Sequence, residues 1–121
     1  MVSTIDARLL PGASRAEAIA AAFPAGSMTG APKISTMEIL DGLEDGRARG
    51  LYSGAVGYFS ATGATDLSVV IRTLVMVREP EQDLWNLSLG VGGAITADSS
   101  PQEEWDEVRT KAFGVLSALG S

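Results

Sequence analysis

The sequence predicts an α+β fold in which antiparallel strands are flanked by helices. Three observations carry that expectation. Helix-start signatures stand at residues 14–17 and 100–103, the apolar period changes from helical to alternating at Leu51, and glycine-rich turns separate the segments.

The first helix opens at Ser14-Arg-Ala-Glu17, where a hydroxyl and a carboxylate three residues apart can each satisfy a backbone donor. It is expected to run to about Ala22, because Phe23 precedes Pro24 and is pushed out of helical dihedrals. A second helix follows SMTGAPK (27–33), with Pro32 suited to its first position, and reads through Ile34, Met37, Ile39 and Leu40 to about Leu43. Alternation then predicts three antiparallel strands in one sheet: LYSGAVGYFS (51–60), DLSVVIRTLVMV (66–77) and LWNLSLG (84–90), with a polar turn EPEQD before the third. In the second strand Leu67, Val69, Ile71, Thr73, Val75 and Val77 fall on one face and read as core. The last helix starts at Ser100-Pro101, with Glu103 three residues beyond the cap. Its stripe of Trp105, Val108, Ala112, Val115 and Leu119 is expected to pack on the sheet.

Composition narrows the chemistry. The 121 residues are the size of one domain or a part of one, and with 45% hydrophobic residues a folded chain of this length is expected to bury roughly two thirds of its unfolded surface. There is no Cys and no His, so disulfides, zinc-finger spacings and Ser-His or Cys-His pairs within the chain are excluded. Fifteen acids against nine bases give a net charge of -6, which repels a phosphate backbone and argues against nucleic acid and anionic membrane surfaces as partners. No apolar run approaches a membrane span and no targeting signal stands at the N-terminus, so a cytoplasmic location is expected.

Four constellations could carry chemistry. Glu104, Glu107 and Lys111 share a helix edge and can be read as a divalent-cation site beside an ammonium, or as a solvated face with one ion pair. The Gly90-Val-Gly-Gly-Ala94 segment can offer backbone N–H groups to an anion, or serve only as a bulge or tight corner. Arg72 can reach solvent, pair with an acid such as Asp66, or fork onto a bound carboxylate; Tyr52 can pack across a strand pair or face a ligand where Gly54 and Gly57 thin the surface. Finally, Gly26 to Lys33 offers two hydroxyls near a helix N-terminus, but lacks the spacing of a P-loop.

Taken in order, PAGSMTGAPK (24–33), MEIL (37–40), RGLYSGAVGYFS (49–60), the IRT of 71–73, GVGGAITADSSP (90–101) and EEWDEVRTKA (103–112) resemble the successive motifs of the chorismate-binding enzymes. The resemblance covers nearly the whole chain and makes residues 1–121 the C-terminal portion of such a domain, an α/β/β/α sandwich like that of anthranilate synthase component I. It implies Mg2+ as cofactor and chorismate as substrate. By residue, it implies Ser27, Tyr52, Arg72, Gly92, Gly93 and Ala94 as substrate contacts, Glu107 and Glu104 at the metal, and Lys111 as a catalytic cation. The family pattern usually has Gly where this chain has Ala94, and it places a His just ahead of Val2-Ser3-Thr4. GSMTGAPK is more similar to the aminodeoxychorismate synthase branch than to the anthranilate synthase branch. That branch implies amination of chorismate toward para-aminobenzoate and folate, a glutamine amidotransferase partner, and an incomplete site in this chain alone. The competing expectation is a noncatalytic truncated module that self-associates or pairs with an N-terminal piece of its own domain.

Overall fold

The computed structural model describes residues 3–81 and 83–120. Helices and antiparallel hairpins are grouped along it, as expected of an α+β fold: three helices precede two hairpins, and a fourth helix follows. The order is α1 (Arg15–Ala22), α2 (Gly26–Thr29), α3 (Lys33–Leu43), β1 (Ala55–Phe59), β2 (Thr65–Val69), β3 (Leu74–Glu79), β4 (Leu84–Leu89) and α4 (Pro101–Leu116), closed by a 3-10 turn at Ser117–Leu119.

Local chemistry explains the helix starts. At α1 the Ser14 hydroxyl accepts from the Glu17 N–H at 3.1 Å while the Glu17 carboxylate accepts from the Ser14 N–H at 2.8 Å, a complete capping box. Those two bonds hold the Glu17 carboxyl below its ordinary value, the backbone bond contributing most. Pro32 caps α3 rather than occupying its first turn, and Thr36 returns its hydroxyl to the Pro32 carbonyl at 2.9 Å. At α4 Pro101 takes the first position as expected, but the Ser100 side chain makes no capping bond. The neighbouring Ser99 links the preceding loop to the helix, accepting from the Thr96 N–H at 3.0 Å and donating to Glu104 Oε1 at 2.6 Å.

The expected three-stranded sheet is two separate two-stranded sheets, β1 with β2 and β3 with β4. The long strand predicted over 66–77 breaks near Arg72, which adopts φ 50, a left-handed conformation outside the extended region of a regular strand. The chain turns there, so Leu67 and Val69 stay half-buried on one hairpin, while Ile71 and Val77 become exposed. The first predicted strand also starts later, since residues 51–53 form a turn in which Ser53 sits at φ 69. The ladder nevertheless continues past it: Ser53 N–H donates to the Val70 carbonyl at 3.1 Å and Val70 N–H to the Gly54 carbonyl at 2.9 Å. Of the turn expected over 79–83, Glu79 belongs to β3, and Gln82 lies outside the described residues.

The inward face of α4 differs from the expected stripe. Glu104, Val108, Lys111, Ala112 and Val115 are half-buried, whereas Trp105 is 57% exposed and Leu119 50%. Val70 is the sole buried hydrophobic among the described residues. Accessible surface is 9875 Å², against about 6,200 Å² for a compact monomer of this mass, so folding buries roughly 45% of the extended chain's surface rather than two thirds. Secondary structure and hydrogen-bonded crosslinks therefore carry much of what packing carries elsewhere.

One crosslink is steric. A Cβ added at Gly57 would stand 1.9 Å from the Asp66 carbonyl oxygen across the β1–β2 ladder. Gly57→Ala is expected to separate the hairpin and lower stability by about 1–3 kcal/mol, the usual range for overpacking. Urea denaturation of the two chains measures this, and an unchanged midpoint would show that the ladder yields without strain.

Candidate functional site

The site is assembled from loops that the hairpins and α4 hold together. The turn at residues 51–53 presents Tyr52, and the segment leaving β4 runs directly beneath it. A Cβ at Gly90 would lie 2.2 Å from Tyr52 Cγ, and one at Gly92 would lie 2.7 Å from the Tyr52 hydroxyl. Both glycines are therefore required by the tyrosine that covers them. At Gly93 the same construction meets Glu104 Oε2 at 3.0 Å, so the third glycine lets the helix carboxylate approach the strand end.

A cleft of about 640 Å³ opens beside this contact. Ser27, Tyr52, Arg72, Gly92, Gly93, Ala94 and Lys111, seven of the nine site residues expected from sequence, line it from five separate stretches of chain. Glu104 and Glu107 do not line it. Glu104 lies against Gly93, one oxygen held by Ser99 and the other, Oε2, buried without a hydrogen-bond partner among the described residues. Glu107 is half-exposed and pairs with Lys111, whose ammonium also donates to the Gly92 carbonyl at 3.2 Å. Lys111 thus joins α4 to the glycine segment.

Charge is distributed unevenly. In a chain of net charge -6 the cleft wall carries three cations, Arg49, Arg72 and Lys111, and one carboxylate, Glu44. Glu44 is neutralised by Arg49 and Lys111 is paired with Glu107, which leaves Arg72 with no hydrogen bond or ion pair among the described residues. The amides of Gly92, Gly93 and Ala94 likewise have no acceptor there. A free guanidinium and free amides lining one partly apolar cleft fit an anionic ligand, and a carboxylate in particular.

Arg49 is the residue that sequence reasoning missed. Its Nε and NH2 reach the Glu44 carboxylate at 2.8 and 2.5 Å, while NH1 donates to the Met28 carbonyl at 2.9 Å and to Ser53 Oγ at 3.0 Å. The hydrogen bonds from Arg49 hold the Glu44 carboxyl below its ordinary 4.5 and raise the guanidinium in turn. The available signal was small: an acid five residues before an Arg, itself followed by the Gly that opens the Tyr52 turn.

No group of three or more metal-binding side chains occurs among the described residues. The donor set that exists is the pair Glu104 and Glu107, one helical turn apart. With an orphaned carboxylate oxygen on Glu104, it fits a cation that takes its remaining ligands from substrate and water.

The family model for chorismate binding enzymes matches residues 1–117. The chain belongs to the chorismate-binding enzyme family. It is 54% identical over 119 residues to an aminodeoxychorismate synthase of Streptomyces griseus, covering 98% of this chain and 16% of that protein. A chloroplastic aminodeoxychorismate synthase of Arabidopsis thaliana is 52% identical over 119 residues, 98% of this chain and 12% of the relative. An anthranilate synthase component 1 of Haloarcula marismortui is 44% identical over 117 residues, 97% of this chain and 21% of the relative. The chain thus spans between an eighth and about a fifth of the length of these family members, and is more similar to the aminodeoxychorismate synthases. No solved structure was found to match it. No helix among the described residues is long and apolar enough to cross a membrane.

The Glu44–Arg49 pair gives a pH signature. Because the folded-state carboxyl titrates below its ordinary 4.5, its contribution is present above that value and is lost as pH falls through the lowered one. Glu44→Gln is expected to lower the urea midpoint at neutral pH, with the gap to the parent chain closing as pH falls below the ordinary carboxyl value. A gap that stays constant with pH would remove the pair from the stability account.

Proposed function

We propose that this chain is the chorismate-binding segment of an aminodeoxychorismate synthase component I, contributing one wall of a site that aminates chorismate to 4-amino-4-deoxychorismate. The observation that carries the reading is the convergence on one cleft of Arg72, unpaired, with the free amides of Gly92, Gly93 and Ala94. Greater identity to the aminodeoxychorismate than to the anthranilate synthases supports this product.

Chorismate carries two carboxylates, and the cleft offers two ways to receive them. Arg72 forks onto one, and the N–H groups of residues 92–94 donate to the other. The Tyr52 hydroxyl and the Ser27 hydroxyl donate toward the ligand from opposite rims. Lys111, the residue assigned to catalysis, keeps a cation at the floor of the cleft, where charge develops on the departing 4-hydroxyl as the amine bonds to the ring. Glu104 and Glu107 would hold Mg2+. When bound, that ion supplies positive charge that offsets a substrate carboxylate and polarises the leaving oxygen.

The same reading assigns the protein to para-aminobenzoate and folate biosynthesis in the cytoplasm, with ammonia delivered by a glutamine amidotransferase subunit. Further polypeptide of the same domain completes the site, so the 121 residues alone turn over negligibly. Exposed apolar side chains such as Trp85, Trp105 and Phe113 support a covering partner, whether an N-terminal piece of the domain or a second copy.

Product analysis tests the reading. Within a complete enzyme containing this segment, Arg72→Ala is expected to weaken chorismate binding about tenfold to a hundredfold, the loss of a charge-assisted contact, and Glu107→Gln to weaken Mg2+ binding. An unchanged chorismate affinity in the first variant, or anthranilate as the product of the parent enzyme, would overturn the assignment. Appreciable amination by the isolated chain with chorismate, ammonia and Mg2+ would refute its incompleteness.

A further inference from the structure

Tyr52 is aimed by an unusual piece of backbone. The turn that carries it passes through Ser53 at φ 69, a conformation in which a residue with a Cβ is strained, and nothing in the Tyr52 side chain itself selects it. Ser53 is one of the few buried residues, 8% exposed, and its hydroxyl accepts from Arg49 NH1 at 3.0 Å. The same nitrogen donates to the Met28 carbonyl at 2.9 Å, immediately after Ser27. The other edge of the guanidinium is clamped on Glu44, the C-cap of α3. One side chain therefore connects both rims of the cleft to a helix end.

We propose that Arg49 is the positioning residue of the cleft: by bridging Glu44, the Met28 carbonyl and the Ser53 hydroxyl it holds the left-handed turn that presses Tyr52 onto Gly90 and Gly92 and fixes the Ser27 rim opposite. It rests on reading the cleft as a ligand site, yet its own claim concerns the placement of Tyr52. The role requires arginine. A planar fork reaches a carboxylate and two further acceptors at fixed angles, whereas a lysine ammonium on a flexible stem cannot span all three. The tight fit at Gly90 shows what is at stake, because the ring occupies the space of a missing side chain and slight rotation of the turn withdraws it.

The two tyrosines give an internal comparison. Tyr58 is 56% exposed on β1, and Tyr52 is half-buried against the glycines. Nitration of the chain with tetranitromethane, followed by peptide mass spectrometry, reads their relative rates. In the parent chain Tyr52 is expected to react more slowly than Tyr58. In Arg49→Lys its rate rises toward that of Tyr58 while the far-ultraviolet circular dichroism stays unchanged. Ser53→Gly is the second variant: glycine suits the positive φ, so the fold is kept and only the hydroxyl bond is lost, and Tyr52 is again released. A parent-like rate ratio in either folded variant overturns the proposal, as does a rise that only follows loss of the helical signal. Added chorismate separates the two readings. If, in a complete enzyme containing this segment, it fails to slow Tyr52 nitration while both variants still release the ring, the ligand assignment falls and the positioning role stands.

Discussion

The guanidinium of Arg49 meets the carboxylate of Glu44, the carbonyl of Met28 and the hydroxyl of Ser53, and those contacts tie the end of α3, the short helix α2 and the Tyr52 turn together. In a densely packed domain such a residue would be one constraint among many. Here Val70 is the sole buried hydrophobic among the described residues, so hydrogen-bonded and steric crosslinks decide the geometry. Val70 takes part in the same network, since its backbone closes the ladder onto Ser53 and Gly54. Two residues later the chain turns at Arg72 and brings that side chain to the cleft. The polar hub, the left-handed turn and the free guanidinium thus form one connected arrangement.

A second set of crosslinks builds the facing wall. Lys111 ties α4 to the Gly92 carbonyl, Ser99 orients Glu104, and Glu104 approaches the chain only because residue 93 has no side chain. The glycines of residues 90–94 admit the Tyr52 ring and the Glu104 carboxylate. The amides of residues 92–94 have no acceptor among the described residues, so the segment reads both as a structural corner and as an anion cradle. Membership of the chorismate-binding enzymes gives the cradle its proposed ligand.

Features set by local chemistry were legible in the sequence, and features set by long-range contacts were not. The capping box at Ser14 and the start of α4 at Pro101 depend on residues within one turn of one another, and they lie where expected. The cleft residues were legible through their ordered motifs. Alternation alone, however, could not reveal that the ladder breaks at Arg72, because period two describes side chains and says nothing of a single backbone inversion. The same limit turned one expected sheet into two hairpins, placed Trp105 on the exposed side of α4 and left Leu119 in the 3-10 turn beyond the helix. Arg49 stayed invisible because its importance lies in three acceptors up to 21 residues away, none of which marks it locally.

The most direct test follows the backbone of residues 90–95 by hydrogen–deuterium exchange in a complete enzyme containing this segment, with and without chorismate in the presence of Mg2+. The account predicts that chorismate slows exchange at the amides of Gly92, Gly93 and Ala94 and in the peptide carrying Arg72, with no change in the exposed β3–β4 hairpin. Chorismate binding that leaves the 92–94 amides exchanging at their free rate would contradict it.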